Sequence, residues 1–274
     1  MSIQLDWFKI LTDCKNNVEA AIKPHLETIH EPLPDLGKGA GGDAKKPADL
    51  AAEKAIVDTL QSHGVSFSLI SEESGFVNYG SHPEDCYVTI DPIDGTTNFL
   101  RGLPFYASSI AISRKPVMSE VYAALVTDLY HDITYIAQEG KGAYRDGEKI
   151  KTSNIVSLQE AVLGMDLNTY KVAEVAPKLT DLIQQTKHIR HYGANALELC
   201  YVANGLTDAF VDIRGKLRTT DVAAGFLIIK EAGGLVTGMD NQPVNVPLDP
   251  KQTLKFVASG NTQIHETILG LVKP

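Results

Sequence analysis

Four stretches of the chain set acidic side chains where a strand ends or a helix begins. They are Ser71-Glu72-Glu73-Ser74-Gly75, the segment from Asp91 to Phe99 (DPIDGTTNF), Thr219-Thr220-Asp221-Val222-Ala223-Ala224-Gly225, and Asp49 at the head of a helical pattern. Carboxylates in such places ordinarily cap helices or shape turns, and Asp49 and Asp221 taken singly fit that reading. The segment 91–99 does not. A turn needs one Asx or one glycine, whereas this one carries two carboxylates, a proline that fixes φ, and a glycine that lets a ligand approach the backbone. If a helix starts after Gly95, the amides of Gly95 and Thr96 point outward as an anion site. Carboxylates for a cation beside amides for an anion is what a metal-bound phosphate requires.

Electrostatics sharpens this. Were Glu72, Asp91, Asp94 and Asp221 to converge, each pair about 4 Å apart would repel by ~4 kcal/mol at an effective dielectric of about 20. Such a cluster stays ionised only with cations among its members. Oxygen donors without His or Cys select a hard ion, Mg²⁺ or Mn²⁺. His63, His82, His131, His188, His191 and His265 show no ligand spacing and read as surface or capping residues. Cys14, Cys86 and Cys200 are far apart and read as buried thiols in a reducing compartment.

The elements that must position these residues follow from periodicity. Trp7, Ile10, Leu11, Cys14, Val18, Ala21 and Ile22 recur at three and four, predicting an amphipathic helix that ends near Pro24. The glycine- and lysine-rich stretch 32–47 reads as a mobile loop, and a helix with Ala52, Ile56, Val57 and Leu60 inward follows it. Strands are expected at 65–70, 86–91 and 106–113, then a meander over 117–145 whose last hairpin turns at Asp146-Gly147. Beyond Ser157 come strand 162–166, helices 172–187 and 195–204, strand 207–213, helix 219–232, strands 234–238 and 254–259, and helix 261–271. Strands cluster first and alternate with helices later, which favours layered α and β sheets over a doubly wound fold.

The 274 residues carry a formal net charge of −9, so no cationic field exists to bind nucleic acid. No stretch reaches the ~18 apolar residues of a membrane span, and the opening segment lacks the apolar core of a secretory signal. The chain is read as cytoplasmic, with no membrane or nucleic-acid partner.

Taken together the motifs resemble the inositol monophosphatase family, within the group that also holds fructose-1,6-bisphosphatases and other lithium-sensitive sugar and nucleotide phosphatases. The resemblance rests on GKGAGGD (37–43) with Asp49, SEESG (71–75), DPIDGTTNF (91–99), GANALELCYVANGLTDAF (193–210) and TDVAAGFLIIKEAGG (220–234). The glycine-rich loop and VDIRGKLRTTD (211–221) look most like archaeal-type enzymes acting on both inositol monophosphate and fructose 1,6-bisphosphate. It implies an αβαβα five-layer sandwich, a homodimer, and one domain with a metal-binding half (about 1–155) and a specificity half (about 156–274). It implies two to three Mg²⁺ ions per site: Glu72, Asp91 and the Ile93 carbonyl on the first, Asp91, Asp94 and Asp221 on the second, and a weaker third near Glu72, reached by Asp49 through water. Gly95 and Thr96 would hold phosphate through their amides. Asp49, Glu72 and Thr96 would be the catalytic set, with the Thr96 hydroxyl, paired with Asp49, helping to deprotonate the attacking water.

Substrate choice would then fall to the second half. Asp94 and the stretch Gly193-Ala194-Asn195-Ala196, which stands where the family has Gly-Ser-Ala-Ala, would meet sugar hydroxyls. Arg214 replaces a glutamate of the inositol-restricted enzymes and, with Lys216 and Arg218, has two readings. The three would pair with a second phosphate, or alternate along an exposed edge strand and loop as protective charges. Arg190 and Tyr170 are weaker candidates for the phosphate role. Loop 37–46 reads either as a disordered connection or as a glycine-hinged lid carrying Lys38 to the site. Two further functions stay open: a 3′-phosphoadenosine 5′-phosphate phosphatase, which needs an adenine shelf, and a non-catalytic metal-dependent regulatory protein, which would lack a ligand or the Thr96–Asp49 pair.

Overall fold

The structure is a computed structural model that describes residues 5–28, 34–168 and 170–272. Its helices are α1 (Trp7–Glu27), α2 (Pro47–Ser62), α3 (Thr96–Arg101), α4 (Val172–Gln185), α5 (Asn195–Ala203), α6 (Thr219–Glu231) and α7 (Thr262–Leu271). The strands of the first sheet are β1 (Phe67–Ser71), β2 (Gly75–Tyr79), β3 (Tyr87–Asp94), β4 (Ala107–Ser113), β5 (Val121–Asp128), β6 (Ile133–Gln138), β7 (Gly142–Arg145) and β8 (Glu148–Lys149). They lie in the order β2-β1-β3-β4-β5-β6-β7-β8, antiparallel except for the β1–β3 pair. The second sheet takes β9 (Val162–Met165), β10 (His188–Arg190), β11 (Ala209–Asp212), β12 (Leu235–Thr237) and β13 (Phe256–Ser259) in the order β10-β9-β11-β13-β12.

These elements stack in five layers, α/β/α/β/α, as the motifs imply. One face of the first sheet, with Leu69, Val88, Ile90 and Leu125, packs on the apolar stripes of α1 and α2. Its other face, with Ala107, Ala111, Ala124 and Val126, meets α5 and α6. Phe210, Phe256 and Ala258 of the second sheet close on the same two helices from the far side, while Leu163, Val211 and Val257 are covered by α4 and α7. Because α6 is enclosed by both sheets, every residue from Thr219 to Ile229 is buried, and its sequence is apolar all round instead of striped.

Two expectations need correction. Helix α1 runs on to Glu27 with Pro24 inside it, because a proline in the last turn forfeits only one amide bond. His265 is not a surface residue: it is buried, its ring nitrogens 2.7 Å from Ser259 Oγ and 2.8 Å from Thr237 Oγ1, tying α7 to β12 and β13. The Asp146-Gly147 turn is as expected, with φ of 49° and 84° placing both residues in the left-handed region a tight hairpin demands.

The strand carrying DPID contains the decisive irregularity. Asp91 pairs with Ser109 and Asp94 with Ala107, so three steps along β3 match two along β4. In a regular strand residues three apart face opposite sides. The bulge at Pro92-Ile93 absorbs one residue and brings Asp91 and Asp94 to the same face, while Ile93 joins Ile90 against α1 and α2.

Two helical glycines test the packing. A Cβ on Gly225 of α6 would lie 2.7 Å from Leu199 Cβ of α5, whereas one on the exposed Gly270 of α7 meets nothing within 4 Å. Gly225→Ala is expected to lower stability by about 1–2 kcal/mol despite alanine's better helix propensity, and Gly270→Ala to raise it by up to about 1 kcal/mol. Urea unfolding of the two variants checks both signs.

Candidate active site

A cleft of about 680 Å³ gathers residues from four of the five layers. Asp49 comes from the first turn of α2, Glu72 and Glu73 from the β1–β2 turn, Asp91 and Asp94 from the end of β3, and Asp221 from the first turn of α6. Glu72, Asp91 and Asp221 each bring one carboxylate oxygen within 4.8 Å of the others, and Asp49, Glu72 and Glu73 form a second such group. The acidic residues singled out from the sequence therefore converge, joined by Glu73.

Burial governs their chemistry. Loss of solvent, reinforced by the Asp221 charge, pushes Glu72 up to about 8 and Asp94 to about 7. Desolvation likewise raises Asp49 and Glu73 to about 7, and holds Asp91 well above the carboxylate range. Asp91 Oδ1 and Asp49 Oδ2 are buried without any hydrogen-bond partner. Orphaned anionic oxygens in an all-oxygen cluster fit a hard divalent cation, which would supply the missing partner.

The remaining oxygens are tied down. Asp94 Oδ2 accepts a 2.6 Å bond from the Ala196 amide, setting this carboxylate against the positive N-terminus of α5. The Thr96 hydroxyl lies 3.2 Å from Asp49 Oδ1 and 2.9 Å from the Ile93 carbonyl. Gly95, at φ 84°, leaves no room for a side chain: a Cβ would lie 2.9 Å from that of Ala194. Gly95, Thr96, Gly193 and Asn195 line the cleft. Ala194 and Ala196 lie outside its lining: both are fully buried, and the Ala196 amide donates to Asp94.

The basic residues depart furthest from expectation. The strand before them is no exposed edge, since β11 lies between β9 and β13 at the middle of its sheet. Arg214 is 1% exposed and clamped between Asp166 and Asp212. Arg218 donates to Glu72 Oε2 (2.6 Å), Asp43 Oδ2 (3.0 Å) and the Gly41 carbonyl (3.3 Å). Of the three, Lys216 is exposed. Tyr170 and Arg190 lie outside the lining; the Arg190 guanidinium donates to the Ile189 carbonyl.

Loop 37–46 is also more ordered than its composition suggests. Gly39 and Gly41 donate to the Asp43 and Glu72 carbonyls at 2.8 Å, and Ala40 to the Glu73 carbonyl at 3.2 Å. The loop thus sits on the turn that presents Glu72. Lys38 is exposed and does not reach the cleft, which Lys46 lines instead. Asp166, Asn168 and Lys251 line the cleft unanticipated. Asp166 carried the same signal as Glu72 and Asp91, an acidic residue directly after a strand.

A layered α/β fold with a buried all-oxygen carboxylate cluster facing an open cleft defines the class: a metal-dependent phosphatase. Within that class the chain belongs to the inositol monophosphatase family, which residues 12–273 match. A fructose-1,6-bisphosphatase/inositol-1-monophosphatase of Thermococcus kodakarensis is 34% identical over 273 residues, covering 99% of each chain. A bifunctional NADP phosphatase/NAD kinase of Methanococcus maripaludis is 32% identical over 97% of this chain, which spans 49% of that relative's length. The crystal structure of an inositol monophosphatase-fructose 1,6 bisphosphatase superposes with a TM-score of 0.85 at 29% identity, covering 97% of this chain and 100% of the other.

Two outcomes follow from the geometry. The clustered carboxyls titrate higher folded than unfolded, so the cation-free protein should be most stable below about pH 4 to 5 with respect to them, and lose that contribution as pH rises through about 7 to 8. Added Mg²⁺ is accordingly expected to raise Tm more at pH 8 than at pH 5; equal shifts would contradict the ionised-cluster account. Arg218→Met should release loop 37–46, seen as at least tenfold faster hydrogen exchange at the Gly39 and Gly41 amides.

Proposed function

We propose that the chain is a Mg²⁺-dependent sugar-phosphate phosphatase that hydrolyses inositol 1-monophosphate, fructose 1,6-bisphosphate or both. The observation that carries this reading is the pair of buried, partnerless oxygens, Asp91 Oδ1 and Asp49 Oδ2, on an acidic cluster beside the open cleft. The likeness to relatives named for both activities supports it.

In this reading Glu72, Asp91 and the Ile93 carbonyl would hold one ion, Asp91, Asp94 and Asp221 a second, and a weaker third would sit near Glu72, reached by Asp49 through water. When bound, the ions lower the pKa of water and neutralise the phosphoryl and leaving oxygens. Gly95 and Thr96 position the phosphate through their amides. The Thr96 hydroxyl would hold the attacking water in line, and Asp49 would take its proton through that hydroxyl. Lys216 and Lys251 line the cleft and offer charge to a second phosphate. Inhibition by lithium, a homodimer, a cytoplasmic location and one catalytic unit spanning both halves belong to the same reading.

The competing functions find less support. Among the described residues no aromatic side chain lines the cleft, which leaves an adenine only the apolar Ile93, Leu100 and Leu217 to rest on. The carboxylates and the Thr96–Asp49 contact that a non-catalytic homologue would have lost are present.

Asp91→Asn and Asp221→Asn should each cut phosphate release by about 10³-fold or more with an unchanged circular dichroism spectrum. Thr96→Ala should cost about 10²-fold in kcat. A phosphate-release panel of inositol 1-phosphate, fructose 1,6-bisphosphate and adenosine 3′,5′-bisphosphate, with and without Mg²⁺, tests the whole reading. Near-normal turnover by either asparagine variant, or turnover indifferent to Mg²⁺, overturns it.

A further inference from the structure

Two buried polar side chains near the cleft have no part in the chemistry above, Asn98 of α3 and Glu198 of α5. They meet at one peptide bond. Asn98 Nδ2 donates to the Tyr192 carbonyl and to the Phe105 carbonyl, each at 2.7 Å. Glu198 Oε1 accepts from the Gly193 amide at 3.0 Å and from the Tyr192 amide at 3.2 Å. The Tyr192–Gly193 peptide is therefore gripped at both polar ends. Its oxygen is held from the first half of the chain and its N–H from the second.

Glu198 is costly where it stands. It is 2% exposed, its Oε2 has no hydrogen-bond partner, and burial pushes it up to about 8 against the pull of the two amides. Gly164 of β9 clears room for it, since a Cβ there would lie 3.2 Å from Oε2. An apolar side chain would avoid that cost but leave two amides unpaired. What the carboxyl secures is the peptide.

That peptide stands against the turn that would bind phosphate. Gly193, at φ 83°, lines the cleft, and its carbonyl oxygen would lie 3.1 Å from a Cβ on Gly95. The Ala194 Cβ and the Phe105 carbonyl oxygen close on the same point at 2.9 and 3.2 Å. A glycine in the left-handed region has wide torsional freedom, so without the grip this peptide is free to rotate away from Gly95.

We propose that Glu198 is a positioning residue for phosphate-ester hydrolysis, acting with Asn98 through the Tyr192–Gly193 peptide to hold Gly95 and Thr96 in one arrangement. This rests on the phosphatase reading above and adds to it two residues outside the cleft lining.

The test compares Glu198→Gln, whose carbonyl oxygen still accepts from both amides, with Glu198→Leu, which has no acceptor. On the fastest substrate of the panel above, with saturating Mg²⁺, kcat of the leucine variant should fall about 10- to 100-fold with KM within about threefold. The glutamine variant should stay within about threefold in both. A residue that only stabilised the fold would lower Tm and leave kcat unchanged at temperatures where the protein is folded. Asn98→Ala should match the leucine variant, and the double variant should be no slower than the slower single, because both act on one peptide. Three results each overturn the proposal: a folded leucine variant with unchanged kcat, a glutamine variant as slow as the leucine one, or a double variant slowed by the product of the single effects. Should Glu198→Leu not fold, Asn98→Ala decides alone, and an unchanged kcat overturns the proposal. If the unaltered protein hydrolyses no phosphate ester, the phosphatase reading falls separately. The grip is then read by hydrogen exchange at the Gly193 amide, expected at least tenfold faster in the leucine than in the glutamine variant, and equal rates overturn it.

Discussion

Mutual repulsion among Asp49, Glu72, Glu73, Asp91, Asp94 and Asp221, crowded into one largely buried cleft, is the constraint under which the site is arranged. Each receives only part of the compensation a buried anion needs. Asp94 leans on the amides at the head of α5, Asp221 accepts from Thr220 Oγ1 and the Arg218 amide, and Glu72 is met by the Arg218 guanidinium. What remains is a set of oxygens with capacity to spare, aimed at a common volume. A fold that needed only stability would have replaced these groups with apolar side chains. Their retention under burial is what ties the architecture to cation chemistry.

The layered stack explains how residues so distant in sequence come to share that volume. The outer helical layer contributes Asp49, the first sheet Glu72, Asp91 and Asp94, the central helices Asn195 and Asp221, and the second sheet Arg214. Because α5 and α6 are enclosed on both sides, their N-terminal ends are held rigidly against two sheets at once. A site built at such a junction inherits its precision from four sets of packing contacts rather than from loop conformation. Loop 37–46 adds the last wall, held by main-chain bonds to the turn that carries Glu72 and by Arg218.

Much of this was legible beforehand, and the exceptions have physical causes. Apolar spacing marked α1 and α2, alternation marked the meander, and the Asp146-Gly147 turn announced its hairpin. The acidic residues could be named because carboxylates beside glycine and proline after a strand are poor candidates for an ordinary core. Pairings across the chain were not legible. Nothing in RGKLR shows that Arg214 turns inward to Asp166 while Arg218 reaches Glu72 and Asp43, since both depend on where β9 and the glycine-rich loop lie in space. The burial of His265 is hidden from the sequence for the same reason: its two hydroxyl partners come from separate strands. Composition also misled at 37–46, where glycines serve close backbone approach: a Cβ on Gly39 would lie 2.7 Å from the Glu72 carbonyl oxygen.

The extra residue in β3 makes counting matter more than identity between Asp91 and Asp94. With Pro92 and Ile93 both present, an odd separation behaves as an even one and the two carboxylates emerge on the same side. Losing one residue together with the bulge would restore ordinary alternation and leave the two carboxylates two apart on the same side, whereas losing the bulge alone would turn the second carboxylate to the opposite face. The apolar interior now filled by Ile93 could not accommodate a charge, so the three-residue spacing and the bulge that absorbs it stand or fall together.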